Sequence, residues 1–335
     1  MIAQLCNSHG FFHGWTATNY HHEIFRAITT QIEQQYTGNC IVVDDTWLHN
    51  IRNEELFVTM YPNVMREHVE HIFFIGLVDE PTCNYNDNQD IIQQLVVAKH
   101  KHSIINKSKF SFWAYFCQSE FRKDYYKLDL PWTGDKLFLS YNRKPVSHRI
   151  KLVEQLKIYD LLDQGIVTLG NDDPQKAITI KENLEELNGG ADGDVGIPND
   201  IRSLGNHNVW QDAFINVVTE TVTHGNFLSE KIWKPIIGKR PFLLVGPPGS
   251  FEQLHNWGFK TFSNFWNEDY NEFGEDAQIE EICKILFRMN KHPIAHLRIL
   301  YDEMQEILNH NHNHFFTHFV KDNRKLIDTI VEDEM

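Results

Sequence analysis

Short apolar runs alternate with helix-like amphipathic stretches along most of the chain. Alternating strands and helices predict a parallel sheet with helices on both faces. The run HIFFIGLV is continuously apolar, which is typical of a strand buried on both faces. In the first half, the predicted strands are residues 2–6, 40–43, 71–78 and 110–117, and the predicted helices are residues 20–34 and 90–99.

A polar, aromatic stretch over residues 118–135 lacks a clear period and predicts a linker. The alternation then restarts. We therefore predict two Rossmann-like, doubly wound α/β domains, 1–130 and 131–335, facing each other across a cleft at the carboxyl ends of their strands, where such folds bind ligands. In the second half, the predicted strands are residues 136–141, 165–169, 213–219, 241–245 and 259–262, and the predicted helices are 147–162, 229–237, 250–257 and the stretch from about 277 onward.

Composition and charge narrow the class of protein. The chain has 335 residues and a net charge of −15, which speaks against a broad nucleic-acid-coating surface but leaves a local basic pocket open. Five scattered cysteines without a CxxC pair suit free thiols in a reducing compartment. No apolar run approaches a membrane span, and the first residues do not have the pattern of a signal peptide. These features predict a soluble cytoplasmic protein.

The segment 217–249, VVTETVTHGNFLSEKIWKPIIGKRPFLLVGPPG, contains the strongest chemical pattern. A strand leads through a polar loop to Ser229, a good N-cap, with Glu230 and Lys231 in the first helical turn. A lysine is locally unfavourable there unless an anion such as a phosphate binds the helix N-terminus, and a neighbouring glutamate suits a ribose diol. The alternative is that both are ordinary surface charges. The other donor-binding candidates of this segment are Glu220, His224 and Asn226 before the helix and Gly246 in the GPPG turn.

A second segment, FLSYNRKPVSHR over residues 138–149, runs from a strand into a helix start. Asn142 and Arg143 follow the strand, and Arg149 lies in the first turn of the helix. The forked donors of arginine match phosphate oxygens, which makes these residues candidates for a diphosphate site. The alternative is that Arg149 pairs with a carboxylate of its helix.

Together these segments resemble the donor half of glycosyltransferases with the GT-B architecture. The run Phe227 to Trp233, FLSEKIW, is similar to the Y-x-T-E-K-[LIF]-[WF] signature of the α1,3-fucosyltransferase family, and the resemblance covers about residues 136–265. It implies that Lys231 and either Arg143 or Arg149 bind the donor diphosphate and that Glu230 binds the ribose. Phe227 replaces the family's tyrosine and Ser229 its threonine, so a GDP-fucose-like donor is one candidate only. The last helix would pack back on the amino-terminal domain, as in this architecture.

Inverting sugar transfer needs a base that takes the proton of the acceptor hydroxyl. In the architecture implied above, the base belongs to the amino-terminal domain, and Asp79 and Glu80, after the most apolar strand, are the first candidates. For each of them a solvated turn carboxylate is the alternative. Asp44 and Asp45, after the apolar run CIVV, rank slightly below them, and His21 and His22 near a predicted helix start are weaker candidates.

Metal binding is the tempting alternative for a chain with 19 histidines. His310 and His314 share a helix face at i, i+4 spacing, but no cysteine or carboxylate cluster accompanies them. Asp192 and Asp194 form a D-x-D pair inside a glycine-rich loop rather than after a strand. We therefore expect no metal and no cofactor, with the nucleotide-diphosphate sugar as a substrate and a glycan hydroxyl as the acceptor.

Three other functions compete with this hypothesis. A transferase acting on a modified DNA base is disfavoured by the acidic charge balance, and a nucleotide-sugar-binding module without catalysis would bind the donor but not turn it over. An NAD-dependent oxidoreductase would need G-x-G-x-x-G after the first strand, where the chain has NSHGFFHG. The sequence leaves the sugar, the base and the acceptor open.

Overall fold

The computed structural model describes the second half of the chain in most detail. In the first half it describes the backbone of four strands. The described residues are 2–5, 40–44, 71–76, 101–106, 125–142, 145–169, 204–225 and 228–319. The predicted helices 20–34 and 90–99 and the predicted strand 110–117 lie outside these residues.

The chain divides into two compact units, one formed by residues 1–112 with 321–335 and the other by residues 113–320. The domain limits predicted from the sequence, 1–130 and 131–335, stay a prediction, because residues 107–124 lie outside the described ranges.

The first unit contains a parallel four-stranded sheet with the strand order β1-β2-β3-β4. Three of its strands confirm the apolar runs of the sequence. The fourth was not predicted, because four of the six residues of KHSIIN are polar and the segment has no apolar run. The strands are β1 (Ile2–Leu5), β2 (Cys40–Asp44), β3 (His71–Gly76) and β4 (Lys101–Asn106).

The second unit contains another parallel four-stranded sheet, with the order β6-β5-β7-β8 and helices between its strands. The described part of the chain is therefore α/β, and this unit is compatible with a Rossmann-like domain. The strands are β5 (Lys136–Ser140), β6 (Gly165–Val167), β7 (Ala213–Thr219) and β8 (Phe242–Val245). The helices are α1 (Ser147–Ile158), α2 (His207–Asp212), α3 (Glu230–Ile237), α4 (Ser250–Asn256), α5 (Glu275–Met289), α6 (Ile294–Glu303) and α7 (Gln305–His314), the last continued by a π-helical turn over Phe315–Phe319.

The core of this unit is built on strands that are buried on both faces. Every residue of β7 and β8 is buried, as expected for central parallel strands covered by helices. Packing is tight where β6 begins, because a Cβ on Gly165 would lie 2.4 Å from the Phe138 ring. On one side of the sheet, Trp233 of α3 packs among aromatic rings with centroids 5.4–5.9 Å away. These rings belong to Trp257, Phe259, Phe315 and Phe319.

Two stretches behave differently from the sequence predictions. The predicted strand 259–262 is wrong, because Phe259 and Phe262 are buried without joining the sheet, while Lys260 between them is exposed. The described part of the predicted linker, residues 125–135, packs on the second sheet through Trp132, whose ring stacks on Phe214 with 4.8 Å between centroids. The guanidinium of Arg298 lies 3.9 Å from the centroid of the Trp132 ring.

No helix among the described residues is both long enough and apolar enough to cross a membrane.

Candidate functional site

The candidate site lies at the carboxyl ends of the second sheet. Because β6 lies on one side of β5 and β7 on the other, the chain connections diverge between β5 and β7. Such a switch point opens a crevice where α/β proteins bind ligands. Asn142 follows β5, Glu220 follows β7 and Gly246 follows β8, so three of the sequence candidates come to the same edge.

Asn142 ties the ends of the strands together. Its Nδ2 donates to Ser140 Oγ at 3.0 Å, and its Oδ1 accepts from Thr219 Oγ1 at 2.7 Å. Its backbone N–H donates to the hydroxyl of Thr168 at 3.1 Å. The side chain is fully buried, so this residue supports the edge of the sheet from within the core. A direct contact between Asn142 and a nucleotide-sugar donor stays a prediction.

The first turn of α1 brings a buried cation under the end of β7. The Arg149 guanidinium donates to the carbonyl oxygens of Thr219 and Glu220 at 3.3 and 3.4 Å. Burial lowers the pKa of Arg149, and the carboxylates of Glu220 and Glu230 counteract that shift. The charge therefore stays on the side chain at neutral pH, in a place where solvent screens it weakly.

His148 is a site residue that the sequence analysis missed. Its Nε2 lies 2.9 Å from the carbonyl oxygen of Glu220, and this atom can only accept a hydrogen bond. Burial lowers the pKa of His148, and Arg149 adds to the shift. The neutral ring therefore carries its proton on Nε2, and its Nδ1 lies 4.0 Å from the carboxylate of Glu275. The sequence feature that could have indicated His148 is its position next to Arg149 in the first turn of the helix that follows β5.

The start of α3 has the capped geometry that the sequence predicts. Ser229 is the N-cap, and its hydroxyl accepts from the backbone N–H of Lys231 at 3.3 Å. The Lys231 ammonium bends back over the cap. It lies 2.8 Å from Glu230 Oε1, 3.0 Å from Thr221 Oγ1 and 3.2 Å from Ser229 Oγ. Lys231 therefore presents its charge at the amino-terminal end of the helix.

Glu230 is an ionised carboxylate in a nearly buried place, with 8% of its surface exposed. Burial by itself would raise its pKa, but the ammonium groups of Lys231 and Lys234 outweigh burial and hold the pKa below its usual value. A stable carboxylate can accept hydrogen bonds from a pair of hydroxyl groups.

The pKa of Glu220 is shifted in the opposite direction to that of Glu230. The side chain is fully buried, and burial raises its pKa, while Lys231 and the Ser229 hydroxyl only reduce the shift. Ser229 Oγ donates to Glu220 Oε2. Among the residues that the structure describes, no donor meets Oε1. The two carboxyl groups at the start of α3 therefore differ in charge preference although they share one lysine.

The side chain of Gln278 holds the main chain of Gly246 at the start of the GPPG turn. The Gly246 N–H donates to Gln278 Oε1, and Gln278 Nε2 donates back to the Gly246 carbonyl oxygen, both at 3.0 Å. A Cβ on Gly246 would lie 3.4 Å from Cγ of Glu220, so the turn lies next to that side chain. Gln278 comes from α5, far along the chain, and the sequence offered no signal for it.

Of the remaining candidates from the sequence, one is exposed in a loop and the others lie outside the side chains that the structure describes. His224 is exposed in the loop after β7, next to Thr223, whose hydroxyl donates to Glu275 Oε2 at 2.7 Å. Several candidates lie outside the residues whose side chains the structure describes. They are Arg143, Asn226, Asp79, Glu80, Asp44, Asp45, His21, His22, Asp192 and Asp194.

The histidine-rich stretch is involved in packing. The His310 and His314 rings stack with 5.8 Å between centroids, and each Nε2 faces a carbonyl oxygen, of Gly258 and Trp257 respectively. His312 is buried. No group of three or more histidine, cysteine or acidic side chains in the described ranges has an arrangement that could hold a metal ion.

Comparisons with known proteins give no independent identification of this site. No protein-family model matches the chain, and no curated protein is detectably similar to it in sequence. The chemistry of the crevice therefore carries the functional argument.

Replacing Ser229 by alanine is expected to destabilise the second unit by about 1–3 kcal/mol, because the change removes both the helix cap and the donor to the buried Glu220. Urea unfolding followed by tryptophan fluorescence measures this loss. Ser147→Ala is the matched control, since Ser147 is exposed in the first turn of α1. Equal stability of the two variants would contradict the capping role.

Proposed function

We propose that the protein is a glycosyltransferase that moves a sugar from a nucleotide-diphosphate sugar to a hydroxyl group of a glycan acceptor, with inversion and without a metal. The observation that carries the proposal is the grouping of Arg149, Lys231 and the ionised Glu230 at the switch point of a parallel sheet. Two cations and a helix N-terminus suit a diphosphate, and a carboxylate beside them suits the hydroxyl pair of a ribose.

The reaction assigns a separate task to each group. The acceptor oxygen forms a bond to the anomeric carbon while the bond from that carbon to the phosphate oxygen breaks, and the electron pair leaves with the nucleoside diphosphate. Lys231 and Arg149 stabilise the negative charge that develops on the leaving group, as fixed cations in a water-poor crevice do. Glu230 holds the ribose. A carboxylate of the amino-terminal half, Asp79 or Glu80, takes the proton of the acceptor hydroxyl.

The Lys231 ammonium can exchange its hydroxyl contacts for a contact with a phosphate. Its contacts with the hydroxyl groups of Thr221 and Ser229 are neutral, whereas its contact with Glu230 is an ion pair. A phosphate oxygen can replace the two hydroxyl groups around the ammonium without breaking the ion pair. The bond from the ammonium to a negatively charged phosphate oxygen is stronger than the bonds to neutral hydroxyl groups that it replaces.

A thermal-shift screen with GDP, UDP, ADP, CMP and dTDP tests the donor site. A ligand present at about a hundred times its Kd stabilises the native state by about 2.7 kcal/mol, which raises the Tm of a unit of this size by roughly 5–10 °C. We expect a selective shift with one nucleoside diphosphate, unchanged by EDTA. No shift with any of the five ligands would contradict the proposal, and a shift lost in EDTA would contradict its metal-free form.

Release of nucleotide from a sugar-labelled donor separates an enzyme from a binding module. The proposed transferase releases the nucleoside diphosphate as labelled sugar moves to acceptor or water. Tight binding without release would indicate a nucleotide-sugar-binding module instead.

A further inference from the structure

Glu220 combines complete burial with an incomplete set of hydrogen bonds. Its Oε2 accepts from the hydroxyl of Ser229, the N-cap of α3, and no donor among the described residues meets Oε1. An ionised carboxylate in such a place lacks most of the donors that it would have in water. The side chain is held against the cap of α3 and beneath the Gly246 turn, so its charge acts directly on any anion bound at that helix end.

The groups that face Glu220 come from three helices. On α3 they are Ser229, Glu230 and Lys231, and on α1 they are Arg149 and His148, whose Nε2 contacts the Glu220 carbonyl oxygen. From α5, the neutral Gln278 holds Gly246, and Glu275 lies 4.0 Å from His148. Among Glu220, Glu230, Lys231 and Arg149, the two negative and two positive charges balance when both glutamates are ionised. Protonation of Glu220 leaves these four side chains with one positive charge in excess.

We propose that Glu220 is a positioning residue that couples anion binding at the start of α3 to the uptake of one proton. Where the anion is the diphosphate of a donor, this rests on the proposed function. A dianion beside Lys231 repels a negative charge on Glu220, and in a buried site this repulsion is weakly screened. The proton neutralises Glu220, keeps its carboxyl group against Ser229 and leaves the charge of Lys231 to the ligand.

The direction of the pH effect follows from this linkage. Protonated Glu220 is the form that binds the anion, so affinity is highest below the pKa of Glu220 in the free protein. Above that pKa, affinity falls by up to about tenfold for each pH unit, the limit for one linked proton.

The test measures the Kd of sulfate by calorimetry between pH 5 and 9, because sulfate remains a dianion over this range and needs no nucleotide chemistry. We expect wild-type affinity to fall with rising pH, and Glu220→Gln, which keeps the shape of the side chain without its charge, to bind with a clearly smaller slope. His148→Gln is the matched control for the other titrating group that faces the site, and it should keep the slope of the wild type. Lys231→Ala should lose sulfate binding, which confirms the location.

A second measurement keeps the proposal testable if Glu220→Gln folds poorly. Calorimetry of the wild-type protein in two buffers of different ionisation enthalpy gives the number of protons taken up, and we expect up to one per sulfate. Equal slopes in the wild type and Glu220→Gln, a slope lost in His148→Gln instead, or no net proton uptake at any pH would each overturn the coupling. None of these outcomes bears on nucleotide selectivity or sugar transfer, so the proposed function is judged separately by the nucleotide screen.

Discussion

Replacing Lys231 by alanine is expected to weaken the binding of a nucleoside diphosphate by roughly 10- to 150-fold, because a charge-assisted hydrogen bond contributes about 1.5–3 kcal/mol. The ammonium lies within 3.2 Å of three oxygen atoms at the start of α3. An anion at that position would lose its closest cation. Titration calorimetry with the tightest-binding nucleotide of the screen measures the change.

Lys284→Ala is the matched control for this experiment. Lys284 also pairs with glutamates, at 2.6 Å from Glu281 and 2.9 Å from Glu280, but on the outer face of α5. We expect its removal to leave nucleotide affinity unchanged. Equal affinities of Lys231→Ala and the wild type would remove Lys231 from the donor site. Circular dichroism must show that both variants are folded, because Glu230 loses its ion pair when Lys231 is removed.

The largest loss of stability is expected for Arg240→Ala, at roughly 3–5 kcal/mol. Only 1% of the surface of Arg240 is exposed, and its guanidinium donates to the carbonyl oxygens of Trp210, Ala213 and Lys239 and to the Tyr301 hydroxyl. Alanine leaves a cavity and several buried acceptors without donors, and each effect costs free energy of unfolding.

Calorimetric or urea unfolding of the variant measures this loss. Arg288→Ala is the control, because Arg288 is exposed on α5, and its replacement should change stability by no more than about 0.5 kcal/mol. A loss below 1 kcal/mol for Arg240→Ala would mean that the carbonyl oxygens find other donors. Burial lowers the pKa of Arg240 to about 10, so the guanidinium still carries its charge at neutral pH.

The opposite charge preferences of Glu220 and Glu230 have one physical origin. Both carboxyl groups are close to Lys231, but only Glu230 pairs with its ammonium directly, at 2.8 Å. Glu220 instead receives the Ser229 hydroxyl and is more deeply buried. A direct ion pair offsets the cost of burying a carboxylate, whereas a single neutral donor does not. The pKa of Glu230 is therefore lowered and that of Glu220 is raised, although both lie near Lys231.

Local pattern was sufficient for most elements of the second sheet and for the start of α3. Strand β7 was predicted residue for residue, since seven consecutive buried positions produce an apolar run. Ser229 was predicted as a cap because its hydroxyl binds an N–H two residues away, which is a local contact. The segment 259–262 misled the prediction because its two phenylalanines are buried, and buried aromatic residues occur whether or not a segment joins a sheet.

The α/β class, the elements that bear Glu230 and Lys231, and the chemistry that their residue types allow follow from local sequence. The partners that these side chains contact follow from the packing of distant segments. The order β6-β5-β7-β8 brings Arg149 and His148 to carbonyl oxygens about 70 positions away and Gln278 to Gly246, 32 positions away. It also buries Glu220 completely. Such contacts depend on strand order and packing, which are properties of the whole chain, whereas caps and apolar runs depend on a few neighbouring residues.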